Sequence, residues 1–188
     1  MPPIAKISKQ QIIDIAYEIV KKEGFSSVNA RRIAKELNCS VQPIFHNFKT
    51  MDEVKQIVYE KIYDTYKTYL LEASKKEYPY KSVGLAYIHF AKEYPNFFKC
   101  IFMQKTDLNI EKFMMADQIG DTVIKIGKQF TGLSYEEQKK FHIKIMIFVH
   151  GLATLVATNT VQLKDEEIEE LVKSIVLDLL ANYKKENL

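Results

Sequence analysis

NARRIAKELNCSVQPIFHNF, residues 29 to 48, reads as two short helices joined by a tight turn. In the first, Ala30, Ile33, Ala34 and Leu37 recur at helical spacing and make one apolar face. Asn29 stands where its side-chain oxygen can accept from an otherwise unpaired amide of the first turn. Asn38 follows Leu37, where such a helix must stop, and asparagine tolerates the left-handed backbone of a C-terminal cap. Ser40 is placed to cap the second helix, whose Ile44 and Phe48 lie four apart and face inward. Val41, Gln42, Pro43, Phe45, His46 and Asn47 are then left outward, a polar and aromatic surface narrow enough for a DNA major groove.

Helix-turn-helix spacing alone fits any helical corner, so the charge distribution is the next test. From Met1 to Lys55 nine Lys or Arg face six Asp or Glu, whereas beyond Lys55 the two classes are equal at eighteen each. The whole formal charge of +3 therefore resides in the segment carrying the motif, as expected of a phosphate-facing module.

Outward from the motif the chain reads as helices throughout. Ser8 and Gln11 have capping-box spacing and open a helix with a stripe of Ile12, Ala16, Ile19 and Val20, ended by Gly24. Before it, Met1 to Ile7 forms an arm with Pro2, Pro3 and Lys6, either unstructured or touching a minor groove or phosphate. Thr50 and Glu53 open a long helix to about Ser74, with Asp52 and Glu53 at its positive end. Its amides there are expected to point at a phosphate beside Lys49. Further helices are expected over residues 80–94, 95–103, 110–130, 135–159 and 165–183, with Pro95, Asn109, Gly132 and Ser134 as punctuation. Gly120 and Gly127, seven apart, allow close helix approach or line a cavity. The fold class is all-α, with about nine helices.

Composition narrows the function. Apolar residues at 47% suffice for a core, and charged residues at 27% suit a soluble chain. No initial apolar run resembles a signal peptide, and the most apolar stretch, Ile145 to Ala157, is shorter than the roughly 20 residues of a membrane span. Cys39 and Cys100 are too few for a disulfide framework, so reduced thiols in the cytoplasm are the simpler reading. No phosphate loop, nucleophile elbow or zinc spacing occurs, and an enzyme, metal or cofactor has nothing to stand on. The acids from Asp165 to Glu170 suit the first turn of a helix, and His142 and His150 suit core or interface histidines.

The stretch from Ser8 to Val54 resembles the DNA-binding domain of TetR/AcrR-type transcriptional regulators. The resemblance rests on Glu23-Gly24-Phe25, Arg31-Arg32-Ile33-Ala34, Phe45 to Phe48, Lys49-Thr50 and Asp52-Glu53. Downstream, Phe148-Val149-His150-Gly151-Leu152-Ala153 is similar to the Trp-x-x-His-Gly pattern of the WHG-type C-terminal domain, with Phe for Trp. The resemblance implies a DNA-binding domain over residues 1–52 and an effector-binding and dimerisation domain over 53–188. It also implies a ligand-responsive dimeric regulator, a repressor, on a near-palindromic operator.

For the DNA surface the resemblance implies Asn29, Arg31, Ser40, Val41, Gln42, Pro43, Phe45, His46, Asn47 and Lys49. Arg31 can pair with guanine and Gln42 with adenine, Val41 or Pro43 can touch a thymine methyl, and Lys49 can hold phosphate. Phe45 stands where relatives carry a phosphate-binding Tyr, and Val41 and Met51 where Lys is frequent, which predicts fewer phosphate contacts. A small lipophilic effector is expected among Tyr66, His89, Phe90, Phe98, Phe102, Met103, Phe113 and Met114. A homodimer is expected through Phe148, Gly151, Leu152, Leu155, Ile168, Leu171, Val172, Ile175 and Leu179, in a four-helix arrangement. The helix from Thr50 is expected to carry the movement that resets the reading heads. The competing class is a helical ligand-binding or scaffold protein without DNA binding.

Overall fold

The computed structural model describes residues 7–76, 79–115 and 118–186, so most of the N-terminal arm lies outside the described residues. Among them are ten α-helices, one 3-10 turn and no strand. The helices are α1 (Lys9–Glu23), α2 (Ala30–Glu36), α3 (Gln42–Asn47), α4 (Met51–Ser74) and α5 (Pro79–Glu93). They continue with α6 (Pro95–Phe102), α7 (Ile110–Met114), α8 (Gln118–Thr131), α9 (Tyr135–Ala157) and α10 (Asp165–Glu186). The chain divides into two compact units, one of Met1–Thr65 with Tyr94–Gln104, the other of Tyr66–Glu93 with Lys105–Leu188. The first unit thus keeps α4 as far as Thr65 and takes in α6, which packs on α1, rather than ending near residue 52.

In the first unit α1 begins as its sequence says. The Ser8 hydroxyl accepts from the Gln11 amide, and the Gln11 side chain accepts from the Ser8 amide at 2.9 Å. Gly24 ends it at φ 91°, a backbone that side chains avoid, with its N–H on the Val20 carbonyl. The core gathers Ile12, Ala16 and Val20 from α1 with Ile33, Ala34, Ile44 and Phe48 of the motif. Val54, Val58 and Ile62 of α4 and Phe97 and Phe98 of α6 complete it. Full burial of one such side chain contributes about 1.5–3 kcal/mol. Around that core, the Tyr17 ring lies 4.8 Å from Phe97 and its hydroxyl 3.0 Å from that of Thr65. Lys61 pairs with Asp14 while lying over the Tyr17 ring.

The second unit is built on α5 and α9, with α8 and α10 packed against both. Gly84 of α5 faces both neighbouring helices, and a β-carbon there would stand at ordinary contact, 3.7 Å from Val172 and 3.8 Å from Val149. Ser134 and Glu137 form the expected capping box at the start of α9. The helix ends in a Schellman motif: Asn159 at φ 56° donates to Val156 and Thr160 to Leu155. The acids at the start of α10 are tied to α5, Asp165 to Lys92 at 2.7 Å and Glu169 to Lys81. At its far end Tyr183 meets Phe141 edge-on and lies under the Lys144 ammonium.

One expectation is corrected. The helix expected over 110–130 is two, because α7 stops at Met115, whose φ and ψ of −108° and 8° leave the helical region. Packing outweighs local propensity there: α7 lies on α9, whereas α8 packs on both α5 and α9. The apolar stretch from Ile145 to Ala157 belongs to a helix longer than itself, since α9 has 23 residues and by length and composition alone is long and apolar enough to cross a membrane. It serves instead as the core helix of the unit, burying Phe141, Ile145, Val149 and Ala153.

The β-carbon distances at Gly84 set a sharp test. Gly84→Ala places its methyl at ordinary contact and removes a helix glycine, so stability should hold or rise by up to about 1 kcal/mol. Gly84→Leu should instead cost roughly 1–3 kcal/mol through overpacking. Chemical denaturation of the three proteins measures both.

Candidate functional site

The motif of residues 29–48 is held by interactions of its own. Asn29 accepts from the Arg32 amide at 2.9 Å and donates to the Ser27 carbonyl at 3.2 Å, so both ends of its amide serve the cap. At the other end of α2, Asn38 adopts φ 50°. Its N–H reaches Lys35 while that of Cys39 reaches Ala34, the two bonds of a Schellman motif. The chain reverses there and enters α3. Ser40 is exposed but does not cap α3; Val41 occupies the cap with no side-chain bond, and Pro43 supplies the preset backbone of the first turn.

Two arginines in sequence have opposite fates. Arg32 donates to Glu23 at 2.6 Å and is paired with Glu36, bonds that hold the Glu23 carboxyl below the usual range and push the guanidinium up. Arg31 is exposed and makes no ion pair among the described residues. Among the described residues its donors are therefore left for a partner outside the chain.

On α3, Ile44 is fully buried and Phe48 is 3% exposed, whereas Val41, Gln42, Phe45 and His46 are exposed and Pro43 is half-buried. Phe45, at 50% exposure, is the largest apolar group on this face. Asn47 differs from the outward placement expected of it. It is half-buried and donates to the Pro43 carbonyl at 2.8 Å and the Ile7 carbonyl at 3.1 Å. At the start of α4 the Glu53 amide donates to Thr50, as its capping spacing says, and the Glu53 side chain accepts from the Lys49 amide. The Lys49 side chain is exposed.

The residues expected around an effector fall into separate units. Phe98, Phe102 and Met103 belong to the first; Phe98 and Phe102 pack together at 5.1 Å, and Met103 is exposed. In the second unit Tyr66 and Phe90 are buried edge to face at 5.4 Å, and Phe113 packs edge-on against His150. His89 is half-buried with Nε2 3.7 Å from Asp165, and the Met114 side chain lies outside the described residues. A cavity in this unit is lined by Leu70, Val83, Tyr87, Gly120, Val123, His142 and Met146, none of those eight. It has room for about one water molecule. Its polar groups are Tyr87 and His142, and the Tyr87 hydroxyl also meets His150 Nδ1 at 2.9 Å. Burial lowers the His150 pKa, favouring the neutral ring. The only sequence signs of this lining were His142 on the apolar face of its helix and the paired glycines.

The expected dimer residues also divide. Leu152, Ile168 and Val172 are buried inside their own chain, Val172 against the Gly84 position, and are unavailable to a second copy. Gly151, Leu155 and Leu171 are exposed, with Ile147 beside them, and Phe148, Ile175 and Leu179 are half-buried. Nothing lies within 4 Å of a β-carbon at Gly151. Among the described residues no cluster of His, Cys, Asp or Glu suits a metal. Cys39 and Cys100 are free thiols, the latter buried and pushed up to about 11 by desolvation.

With this geometry in place, the fold can be compared with others. A TetR-like transcriptional regulator from Rhodococcus sp. RHA1 superposes with a TM-score of 0.65, covering 92% of this chain and 95% of its own at 15% identity. A TetR transcriptional regulator from the same organism gives 0.50, with 92% and 94% covered at 12% identity. The all-helical fold is thus that of TetR-like regulators. No family model matches the sequence, and neither does any curated protein.

The two arginines are separable by stability. Arg32→Ala should lower the melting temperature at neutral pH, and Arg31→Ala should leave it unchanged. Because Arg32 depresses the Glu23 pKa, its stabilisation is present above the unfolded glutamate pKa and is lost as pH falls through the lower folded value. The gap between wild type and Arg32→Ala should therefore close on acidification below about pH 4. Thermal melts across that range measure it.

Proposed function

We propose that the protein is a dimeric, ligand-responsive transcriptional regulator of the cytoplasm, a repressor that binds a near-palindromic operator and is released by a small lipophilic effector. The observation that carries this reading is the outer face of α3. It presents Gln42, His46 and Phe45 to solvent, and the same motif carries an exposed Arg31 that makes no ion pair among the described residues, on a TetR-like fold. Arg31 pairs in bidentate fashion with guanine, Gln42 with adenine, and Val41, Pro43 or Phe45 covers a thymine methyl. Lys49 holds phosphate and positions the helix without reading sequence. Asn29 and Asn47 act indirectly, through the backbone they brace.

The exposed Ile147, Gly151 and Leu155, four apart along α9, and the exposed Leu171 of α10 support a two-fold contact between copies. That contact sets two α3 helices about one turn of DNA apart. The cavity of the second unit, walled by Tyr87, His142 and Met146, is the proposed effector site, with the Tyr66 ring behind Tyr87 at 6.1 Å. Its small volume means that a ligand selects a more open arrangement of α5, α8 and α9. A coupling of a few kcal/mol between that opening and the spacing of the reading helices suffices for release. Helix α4, continuous from Met51 to Ser74, belongs to both units and provides the connection.

Gel retardation with DNA from upstream of the protein's own gene tests the reading. A retarded band is expected, with Arg31→Ala and Gln42→Ala each costing about 1–3 kcal/mol of affinity for the specific site. No retardation at low salt would sink it and favour a helical ligand-binding protein. For the dimer, Gly151→Leu should leave the protomer folded, since its side chain meets open space, yet shift sedimentation from dimer to monomer. A dimer indifferent to that change would place the interface elsewhere.

A further inference from the structure

Lys9 lies outside the helix-turn-helix, on the first turn of α1, yet its ammonium sits over the Phe48 ring, 5.2 Å from the centroid. Phe48 is the residue that terminates α3, and Lys49 follows it directly. The start of α1 is itself anchored to α3, because Asn47 donates to the Ile7 carbonyl while the Ser8–Gln11 box sets the first turn. Lys9 is exposed and makes no ion pair among the described residues. A cation is thus carried from a distant part of the sequence to the C-terminal end of α3, against the residue that precedes Lys49.

From this juxtaposition we propose that Lys9 is a DNA phosphate contact flanking the recognition helix, with Asn47 as the positioning residue that sets it there. The inference rests on the regulator reading and adds a binding residue to it. The aromatic ring holds the ammonium before any phosphate arrives, so less side-chain freedom is lost on binding. A phosphate contact carries no sequence information, and Lys9 therefore strengthens binding to any duplex alike. Asn47 contributes without touching DNA, since both hydrogens of its amide are held by backbone carbonyls.

The test is the salt dependence of affinity, measured on the upstream duplex and on a scrambled duplex of the same length. Lys9→Met keeps a flexible apolar chain at the position and removes the charge. It should weaken binding to both duplexes by the same factor and lower the slope of log K against log salt by about 0.9 per subunit, about 1.8 for a dimer. Lys9→Arg should restore the slope. Asn47→Ala should also lower the slope, and combined with Lys9→Met should lower it no further than Lys9→Met alone. Melting temperatures of all variants exclude unfolding as the cause. An unchanged slope in Lys9→Met, with wild type and Arg31→Ala behaving as expected, overturns the Lys9 assignment and leaves the regulator reading standing. Additive losses in the double variant overturn the role given to Asn47. Wild type that retards neither duplex overturns both.

Discussion

A six-residue helix cannot hold itself together in water, because nucleating a helical turn costs more than so few bonds return. Helix α3 therefore exists only through Ile44 and Phe48, which are buried in the first unit, and through the left-handed turn at Asn38 that delivers the chain to it. Everything on its outer face depends on those anchors. Loss of either would leave Gln42 and His46 without a fixed direction, whatever their chemistry. The same anchoring explains the work of Asn29 and Asn47: a short helix needs its flanking backbone groups satisfied, and asparagine amides do this at both ends of the motif.

Charge is divided along the same lines. Of the adjacent arginines, Arg32 is committed to Glu23 and Glu36 and braces α2 against the end of α1, while Arg31 makes no ion pair among the described residues. An exposed ion pair contributes little to stability by itself, but a guanidinium shared by two carboxylates fixes the angle between two helices. The unit thus separates cations that hold the frame from cations that face outward. Lys61, paired with Asp14 and stacked on Tyr17, falls in the first class; Lys49 falls in the second.

In the second unit the organising constraint is packing around α5. Val149 of α9 and Val172 of α10 converge on Gly84 of α5, and Val172 is buried there. What is left outside is a narrower apolar strip than the hydrophobic pattern of these helices suggests, centred on Gly151 and Leu155. Gly151 and Gly84 look alike in sequence, yet one meets neighbours and the other open space. Only packing distinguishes them.

Local chemistry was legible in the residues themselves. The caps at Ser8, Asn29, Asn109 and Ser134, the left-handed Asn38 and the stops at Gly24 and Pro95 all stand where the spacing of apolar and capping residues put them. Such features depend on groups within about four residues of each other, and so does the division of α3 into a buried and an outward face. The tertiary structure alone decided which of two adjacent arginines is paired, that Asn47 is spent on Ile7, that Lys9 lies over Phe48 and that the second unit's cavity is walled by Tyr87 and His142. It also broke the helix expected over 110–130 and hid Ile168 and Val172. Each of these is a contact between residues far apart in the chain, or a contest between two neighbours for one partner, and no local periodicity encodes which one is satisfied.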